Sequence, residues 1–379
     1  MFYYIIKKDL KKAFVYIEFY FLFIIIVHMN CSHNIYIHVP FCVKKCNYCA
    51  FYSVACGVPD WEKYTNDICK ELIFWSEKLG KIIVPTIFFG GGTPSLMPVT
   101  VFERIIKCIT DNFDVLPNCE ITLESNPGTL DGNKLKDFVS CGVNRLSVGV
   151  QSLDDEELKF LGRIHNVSQS LMLLKDAADM GIRVSADFIY GLPNQNEKNI
   201  VNMCQKINKL DLKHVSLYEL TIEKNTVFGK MNLNMPNNET MANMYMAISD
   251  NLNLPRYEVS NYAKIGHECK HNQNIWAGEA YIGIGKAAAG RINIDGIWYE
   301  QKGHFEQFDV MNEKDRAVEK IITGIRTVRG VKLTPDVEKQ IDFDWVKNHT
   351  DLINQDNEYL YATSKGLLLL DNLTLDLIK

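Results

Sequence analysis

Cys42, Cys46 and Cys49 are spaced C-x3-C-x2-C, directly after the short apolar run Ile35–Val39. Three close thiolates can hold three irons of a [4Fe–4S] cluster and leave the fourth open to bind and reduce a ligand. A four-cysteine electron-transfer site has no such open position. Zinc is the alternative, but a structural zinc takes four ligands and this spacing supplies three. His38 completes a zinc set only if its strand turns back toward the cysteines.

A second group of polar residues falls where strands end. Gly90-Gly-Gly-Thr-Pro94 follows an apolar run directly, and three glycines let a backbone approach a ligand with no Cβ in the way. A phosphate loop would need a following Gly-Lys-Ser/Thr, and a dinucleotide fingerprint would need G-x-G-x-x-G; neither is present. The run is a tight turn or the support for a cofactor's polar end. Glu124 and Asp187 can accept hydrogen bonds from an amine or ribose hydroxyls, Gln151 offers an amide, and Arg163 can grip a carboxylate in bidentate fashion. Each alone reads as ordinary polar structure, with Arg163 bridging surface carboxylates. Gathered at one mouth, they make a site.

The elements that must gather them alternate. Ile35–Val39, Thr86–Phe89, Glu120–Glu124, Arg145–Val150, Arg183–Phe188 and His214–Leu220 are rich in Ile, Val, Phe and Leu and bounded by turn residues, which predicts strands. Apolar residues three to four apart predict helices over Trp61–Leu79, Val99–Asn112, Asp131–Cys141 and Ser168–Met180, and Asp154 and Asp155 open another. Six βα units imply a parallel sheet with right-handed crossovers. A site spread over five strand ends favours a partial, curved (β/α)6 barrel of TIM type over an open sheet. Beyond about residue 225 the rhythm weakens. Met235–Leu254 predicts a helix, Glu258–Gly290 loop with short strands, and Asn312–Val328 a helix. Tyr359–Leu370 predicts a strand, a turn and a Leu-rich helix. The expected architecture is α/β: a barrel followed by a smaller α+β, winged-helix-like domain, divided as 1–28, 29–265 and 266–379.

The 379 residues suffice for such a barrel and a second domain, and a 47% hydrophobic, 23% charged composition is that of a globular protein. With 41 basic against 46 acidic residues and a net charge of −5, there is no basic footprint for nucleic acid. The eleven cysteines are odd in number and mostly scattered, which points to a reducing compartment. Cys69, Cys108, Cys141 and Cys204 fall in helical patterns as packing residues. Phe19–Val27 is apolar but short of the roughly 20 residues a span requires, and Lys7, Lys8, Lys11 and Lys12 precede it with no small-residue cleavage site after it. The preferred reading is an over-extended start with Met29 as the first residue; a membrane anchor and a cleaved signal are the alternatives. A cytoplasmic location is expected.

The motifs resemble those of the radical S-adenosylmethionine superfamily: the three cysteines with an aromatic before the last, then Gly-Gly-Gly-Thr-Pro. Tyr36-Ile-His-Val-Pro-Phe-Cys, Glu124-Ser-Asn-Pro-Gly, Asn144-Arg-Leu-Ser-Val-Gly-Val-Gln-Ser, Gly162-Arg-Ile-His and Asp187-Phe-Ile-Tyr-Gly-Leu-Pro narrow this to the oxygen-independent coproporphyrinogen III oxidase group, over residues 34–379. The authentic oxidases carry a further cysteine two positions after the last cluster cysteine. Phe51 stands there, after Ala50, which is similar to the HemW-type heme chaperones. His271-Asn-Gln-Asn-Ile-Trp276 resembles a heme-linked His-Asn-x-x-Tyr-Trp motif of that type, with Ile275 in place of Tyr. Gly283–Gly290 lacks a Gly-Ala-His typical near its end.

The resemblance implies that Cys42, Cys46 and Cys49 ligate the cluster and that the amino and carboxylate groups of S-adenosylmethionine chelate its fourth iron. It implies that Tyr36, Gly91 and Glu124 line that cofactor. Tyr48, Gly92, Thr93, Gln151, Arg163 and Asp187 match positions assigned in the oxidase to a second molecule of it. The implied chemistry is one-electron cleavage of the sulfonium, which belongs to the cofactor while the protein positions it. His271 is the candidate heme ligand, with His267 and Cys269 as alternative axial ligands. The first functional reading is a heme chaperone that binds heme and passes it to an acceptor hemoprotein, served by an electron donor such as a flavodoxin or ferredoxin. The alternatives are the oxidase itself and a radical enzyme with another substrate.

Overall fold

The computed structural model describes residues 32–379. The apolar run Phe19–Val27 and Met29, on which the choice of start rests, lie outside them. Among the described residues no helix is long and apolar enough to cross a membrane.

Six parallel strands form the frame: β1 (Asn34–Val39), β2 (Ile83–Gly91), β3 (Asp114–Ser125), β4 (Arg145–Gln151), β5 (Arg183–Tyr190) and β6 (His214–Glu219), each paired with the next. Helices α1 (Trp61–Leu79), α2 (Val99–Asn112), α3 (Gly132–Ser140), α4 (Asp155–Phe160), α5 (Val167–Asp179), α6 (Glu197–Asn208) and α7 (Asn238–Asn251) make the crossovers. Their starts follow capping chemistry. Asp60 and Asp131 accept from backbone N–H groups three residues on, and Asn166 and Asn196 each close a reciprocal box with the third residue of α5 and α6. The six strands and the helical spacings are those predicted from the sequence, with most ends within three residues and β3 starting six residues earlier than predicted.

Alternation along the strands explains why a parallel sheet can enclose a polar interior. On one face Ile35, Ile37, Ile87, Phe89, Leu123, Leu146, Val148, Phe188, Val215 and Leu217 are buried in a single core with Ile68, Leu72, Phe102, Leu173 and Ile200 from the helices. On the other face Tyr36, Glu124, Arg145, Ser147, Asp187 and Ser216 line a cavity. The sheet curls around that polar face and does not close on itself.

The main sheet continues at both edges. Beyond β6 come β7 (Arg256–Glu258) and β8 (Asn261–Ala263), antiparallel. Beyond β1 comes β9 (Tyr281–Ile284), parallel to it, then an antiparallel meander of β10 (Ala289–Ile294), β11 (Ile297–Lys302) and β12 (Phe308–Val310). The twelve strands run β12-β11-β10-β9-β1-β2-β3-β4-β5-β6-β8-β7. Residues 281–310 therefore extend the barrel's own sheet.

Helix α8 (Lys270–Trp276) lies within the stretch expected to be loop and short strands, and corrects that expectation. It has no side-chain cap of its own. Glu120 of β3 accepts from the backbone N–H of Lys270 (3.1 Å) and of His271 (2.9 Å), satisfying two donors at its start. A carboxylate 150 residues away does what a local cap ordinarily does.

The C-terminal unit has its own core of Ile321, Ile325, Val337, Ile353, Leu360 and Leu377. It packs α9 (Glu313–Gly324) and short helices on an antiparallel sheet of β13 (Val331–Lys332), β14 (Ile353–Gln355) and β15 (Tyr359–Ala362), a small winged-helix-like α+β arrangement. The fully buried Glu258 of β7 fastens it to the barrel, pairing with Arg326 (Nε to Oε1, 2.7 Å) while its other oxygen accepts from the Ser260 N–H at 3.0 Å.

Candidate functional site

The cysteine loop leaves β1 at Pro40 and is pinned from three sides. Phe41–Cys42 pairs with Val54–Ala55, the Asn47 amide donates to the Phe160 carbonyl at 2.8 Å, and Phe228 N–H donates to the Asn47 carbonyl at 2.9 Å. Gly162, at φ 77°, lets the chain pass beneath; a Cβ there would sit 2.8 Å from the Asn47 side chain. All three cysteines are reduced and line one cavity of about 690 Å³ that opens at the strand ends.

The thiol environments differ. Thr93 Oγ1 donates to Cys42 Sγ at 3.6 Å, and Arg163 Nη1 donates to Cys46 Sγ at 3.2 Å. Burial raises the Cys42 and Cys49 thiols above their usual range, and the neighbouring thiols push in the same direction. A group held protonated by mutual repulsion and desolvation ionises when a cation arrives. Among the described residues no three His, Cys, Asp or Glu side chains converge on one point as for a single metal ion. A cubane gives each thiolate its own iron and does not require that convergence. His38 does not turn toward the thiols: its Nδ1 pairs with the Tyr36 hydroxyl (3.0 Å) and its Nε2 with the Tyr52 carbonyl (2.9 Å).

The glycine run owes its composition to packing as well as to any ligand. A Cβ on Gly92 would meet the Phe41 carbonyl oxygen at 2.7 Å, and one on Gly91, at φ 115°, the His38 ring at 2.6 Å. The Gly91 N–H donates to Glu124 at 3.1 Å. Glu124 is pushed up to about 7, first by burial and then by the charge of Asp187, with the Gly91 bond opposing. Asp187 accepts from the hydroxyls of Ser147 (2.7 Å) and Ser185 (2.9 Å).

Arg163 also bonds the Gly149 carbonyl (3.0 Å), the Tyr48 hydroxyl (3.4 Å) and the Asn126 amide. It is thus a strut between the cysteine loop and β4, not the surface bridge of the bland reading. Gln151 sits at φ 68°, a left-handed backbone rare for a residue with a side chain, at the mouth. Tyr36, Tyr48, Gly91, Gly92, Thr93, Glu124, Gln151, Arg163 and Asp187 all line the same cavity as the cysteines.

His271 lines it from the opposite end. Its ring stacks on Phe88 (centroids 5.0 Å apart), and burial pushes its basicity down to about 4, so it is neutral. The tautomer follows from its neighbours. The Asn34 amide nitrogen donates to the Ala280 carbonyl, so Asn34 Oδ1 is the acceptor for the Thr86 hydroxyl (2.7 Å). The Thr86 oxygen therefore accepts from His271 Nδ1–H (2.7 Å), leaving a lone pair on Nε2. That Nε2 is buried with no partner among the described residues. The other two candidate ligands are not in the cavity wall. Cys269 bonds Glu120 (3.6 Å) with its thiol pushed up to about 12, and His267 lies outside.

Sequence reasoning passed over Arg145, Asn126 and Glu120. The signal for Arg145 was present: in Arg145-Leu-Ser-Val-Gly-Val-Gln151 every second residue faces the cavity.

Residues 36–207 match the model of the radical SAM superfamily. The heme chaperone HemW of Lactococcus lactis is 33% identical over 371 residues, covering 90% of this chain and 96% of that one. The chain belongs to the HemW family. The heme chaperone HemW of Escherichia coli is 36% identical over 270 residues, 69% of this chain and 70% of that one. In fold, this chain is similar to the solved coproporphyrinogen III oxidase HemN of Escherichia coli, with a TM-score of 0.74 at 18% identity over 91% of this chain and 89% of that one. Membership of the superfamily implies a [4Fe–4S] cluster and S-adenosylmethionine, and the gathered thiols, the glycine rim and the buried Glu124 are residues that fit both.

Proposed function

We propose that this HemW-family chain is a heme chaperone that holds heme in the barrel cavity and passes it to an acceptor hemoprotein. The observation that carries the reading is His271: a neutral imidazole that lines the cavity and has a buried Nε2 lone pair with no partner among the described residues, the form in which histidine ligates heme iron. The Thr86 bond to Nδ1 fixes the ring, as partners of metal-ligating histidines do.

Cys42, Cys46 and Cys49 would hold the cluster at the mouth, with Arg163 balancing the thiolate charge. The cluster and S-adenosylmethionine together supply one-electron chemistry when bound. Tyr36, Gly91 and Glu124 would hold the cofactor beside the cluster. Tyr48, Gly92, Thr93, Gln151, Arg163 and Asp187 form the wall where a second molecule, or the heme, would stand. A hemoprotein acceptor and a small one-electron donor, such as a flavodoxin or ferredoxin, are the partners the reading requires, in a reducing cytoplasm.

Glu124 makes the cofactor's binding depend on pH. With the carboxyl pushed up to about 7, half of it is protonated at neutrality, and the carboxylate is the stronger acceptor for the N–H of the amine that chelates the iron. Between pH 7 and 6 the dissociation constant for S-adenosylmethionine is expected to rise roughly fivefold, as the ionised fraction falls. Anaerobic titration between pH 7.5 and 6 measures this. Glu124→Gln should bind weakly with no slope, and a flat native profile would count against the assignment.

The function itself is tested by offering the reconstituted protein hemin and coproporphyrinogen III side by side, with reductant and S-adenosylmethionine. Heme loading with transfer to an apo-hemoprotein supports a chaperone; protoporphyrinogen as product supports an oxidase.

A further inference from the structure

The cavity floor carries a guanidinium with no hydrogen-bond partner among the described residues. Arg145 opens β4 and is 3% exposed, yet it lines the cavity. Its guanidinium lies near Glu120 and Asp187 without a hydrogen bond to either. Both carboxylates are engaged elsewhere. Glu120 already takes Arg183 (2.7 Å), the N–H groups of Lys270 and His271, and the Cys269 thiol, while Asp187 takes two serine hydroxyls. A guanidinium has five donors in a fixed fork, and burying them without partners is costly. Thr122, directly opposite Arg145 in the pairing of β3 with β4, has a buried hydroxyl that also lacks a partner. Parallel neighbours in register point to the same face, so the hydroxyl and the guanidinium share one side of the sheet. The unpartnered His271 Nε2 is on the same floor.

We propose that Arg145 anchors a carboxylate of the ligand held in the barrel: a propionate of a tetrapyrrole. The proposal rests on the heme-binding reading and adds the group that orients the ligand. The fork of an arginine matches a carboxylate bidentately. S-adenosylmethionine is the other carboxylate in reach of the chemistry, but the geometry disfavours it. A cofactor chelating the cluster would lie at the level of Gly149, whose carbonyl accepts from the same Arg163 that meets Cys46. Arg145 lies four residues back along the strand from Gly149 and two from Ser147, the register partner of Glu124, so it is roughly 7 to 13 Å deeper than the residues that would hold the cofactor.

The test compares hemin with hemin dimethyl ester, by anaerobic titration of native protein, Arg145→Gln and Arg145→Lys, with S-adenosylmethionine affinity measured in parallel. The native protein should prefer the free acid by roughly 10- to 100-fold, the gain expected from a charge-assisted pair. Arg145→Gln should bind both forms with the ester's affinity, and Arg145→Lys should fall between. The native comparison needs no variant to fold. Equal binding of acid and ester by the native protein overturns the proposal. So does an Arg145→Gln variant that keeps the preference, or one that loses S-adenosylmethionine binding instead. If hemin of either form fails to bind the native protein, the chaperone reading fails first. Coproporphyrin III and its tetramethyl ester then take the place of hemin, and a missing acid preference there overturns the role of Arg145 as well.

Discussion

Cys46→Ala, reconstituted anaerobically with iron and sulfide, is expected to come off the column colourless, without the broad visible absorption of a [4Fe–4S] cluster. The position is chosen because it separates cluster loss from unfolding. Cys42 is buried and held by Thr93, whereas Cys46 is half-buried at the cavity wall and its Sγ meets only the Arg163 guanidinium. Arg163 keeps its bonds to the Gly149 carbonyl and Asn126 when the sulfur goes, so the loop keeps its anchor. Two thiolates cannot hold a cubane whose remaining iron must stay open. The control is Cys204→Ala. Cys204 is fully buried in α6, away from the cavity, so losing its sulfur lowers stability by about 1 kcal/mol and leaves the colour. A cluster that survives Cys46→Ala, or disappears with Cys204→Ala while the fold holds, would overturn the assignment of the three-cysteine loop.

His271→Ala is the second large effect. Removing the one cavity-lining imidazole among the described residues whose nitrogen has a free lone pair should weaken heme binding at least about 100-fold, beyond what losing a second-shell partner costs a metal site. Because the side chain also packs on Phe88 and bonds Thr86, affinity alone would not separate ligation from packing. Added imidazole does: in a ligand-deletion variant it should enter the vacated space and restore the native heme spectrum. The pH profile gives a second handle. Burial holds His271 near 4, below the ordinary 6.5, so the ligating neutral form dominates at and above pH 5 and the heme spectrum should stay constant from pH 8 to 5. It should change only as the pH approaches 4, where the imidazole takes a proton. A spectrum titrating near 6.5, or a variant that binds heme like the native protein, would move the ligand elsewhere.

What the residues disclosed in advance was what repeats locally. The helices α1 and α2 follow from spacings of three and four around Ile68, Leu72, Phe102 and Ile105, and the strands from short apolar runs between turn residues. The site motifs were legible because each sits at a strand end, and a βα frame brings such ends together. Three things were not legible, each for a non-local reason. Helix α8 has weak periodicity and no cap of its own; its start is satisfied by Glu120 from β3. The four residues of β9 join the sheet by pairing with Asn34–Ile37 at the other end of the chain, and nothing in so short a run announces a partner that distant. Arg145 looked like part of a fold motif, because residue type does not say that a guanidinium is buried, faces inward and finds both nearby carboxylates already taken.

The measurement that bears most directly on the central claim is the side-by-side assay of the reconstituted, cluster-loaded protein under anaerobic conditions. One arm offers hemin and then an apo-hemoprotein; the other offers coproporphyrinogen III, with an authentic oxidase as positive control. The account predicts one heme bound per chain and passed on, with protoporphyrinogen appearing in the control tube alone. Protoporphyrinogen formed by this protein at a rate like the control's, with no stoichiometric heme bound, would contradict it.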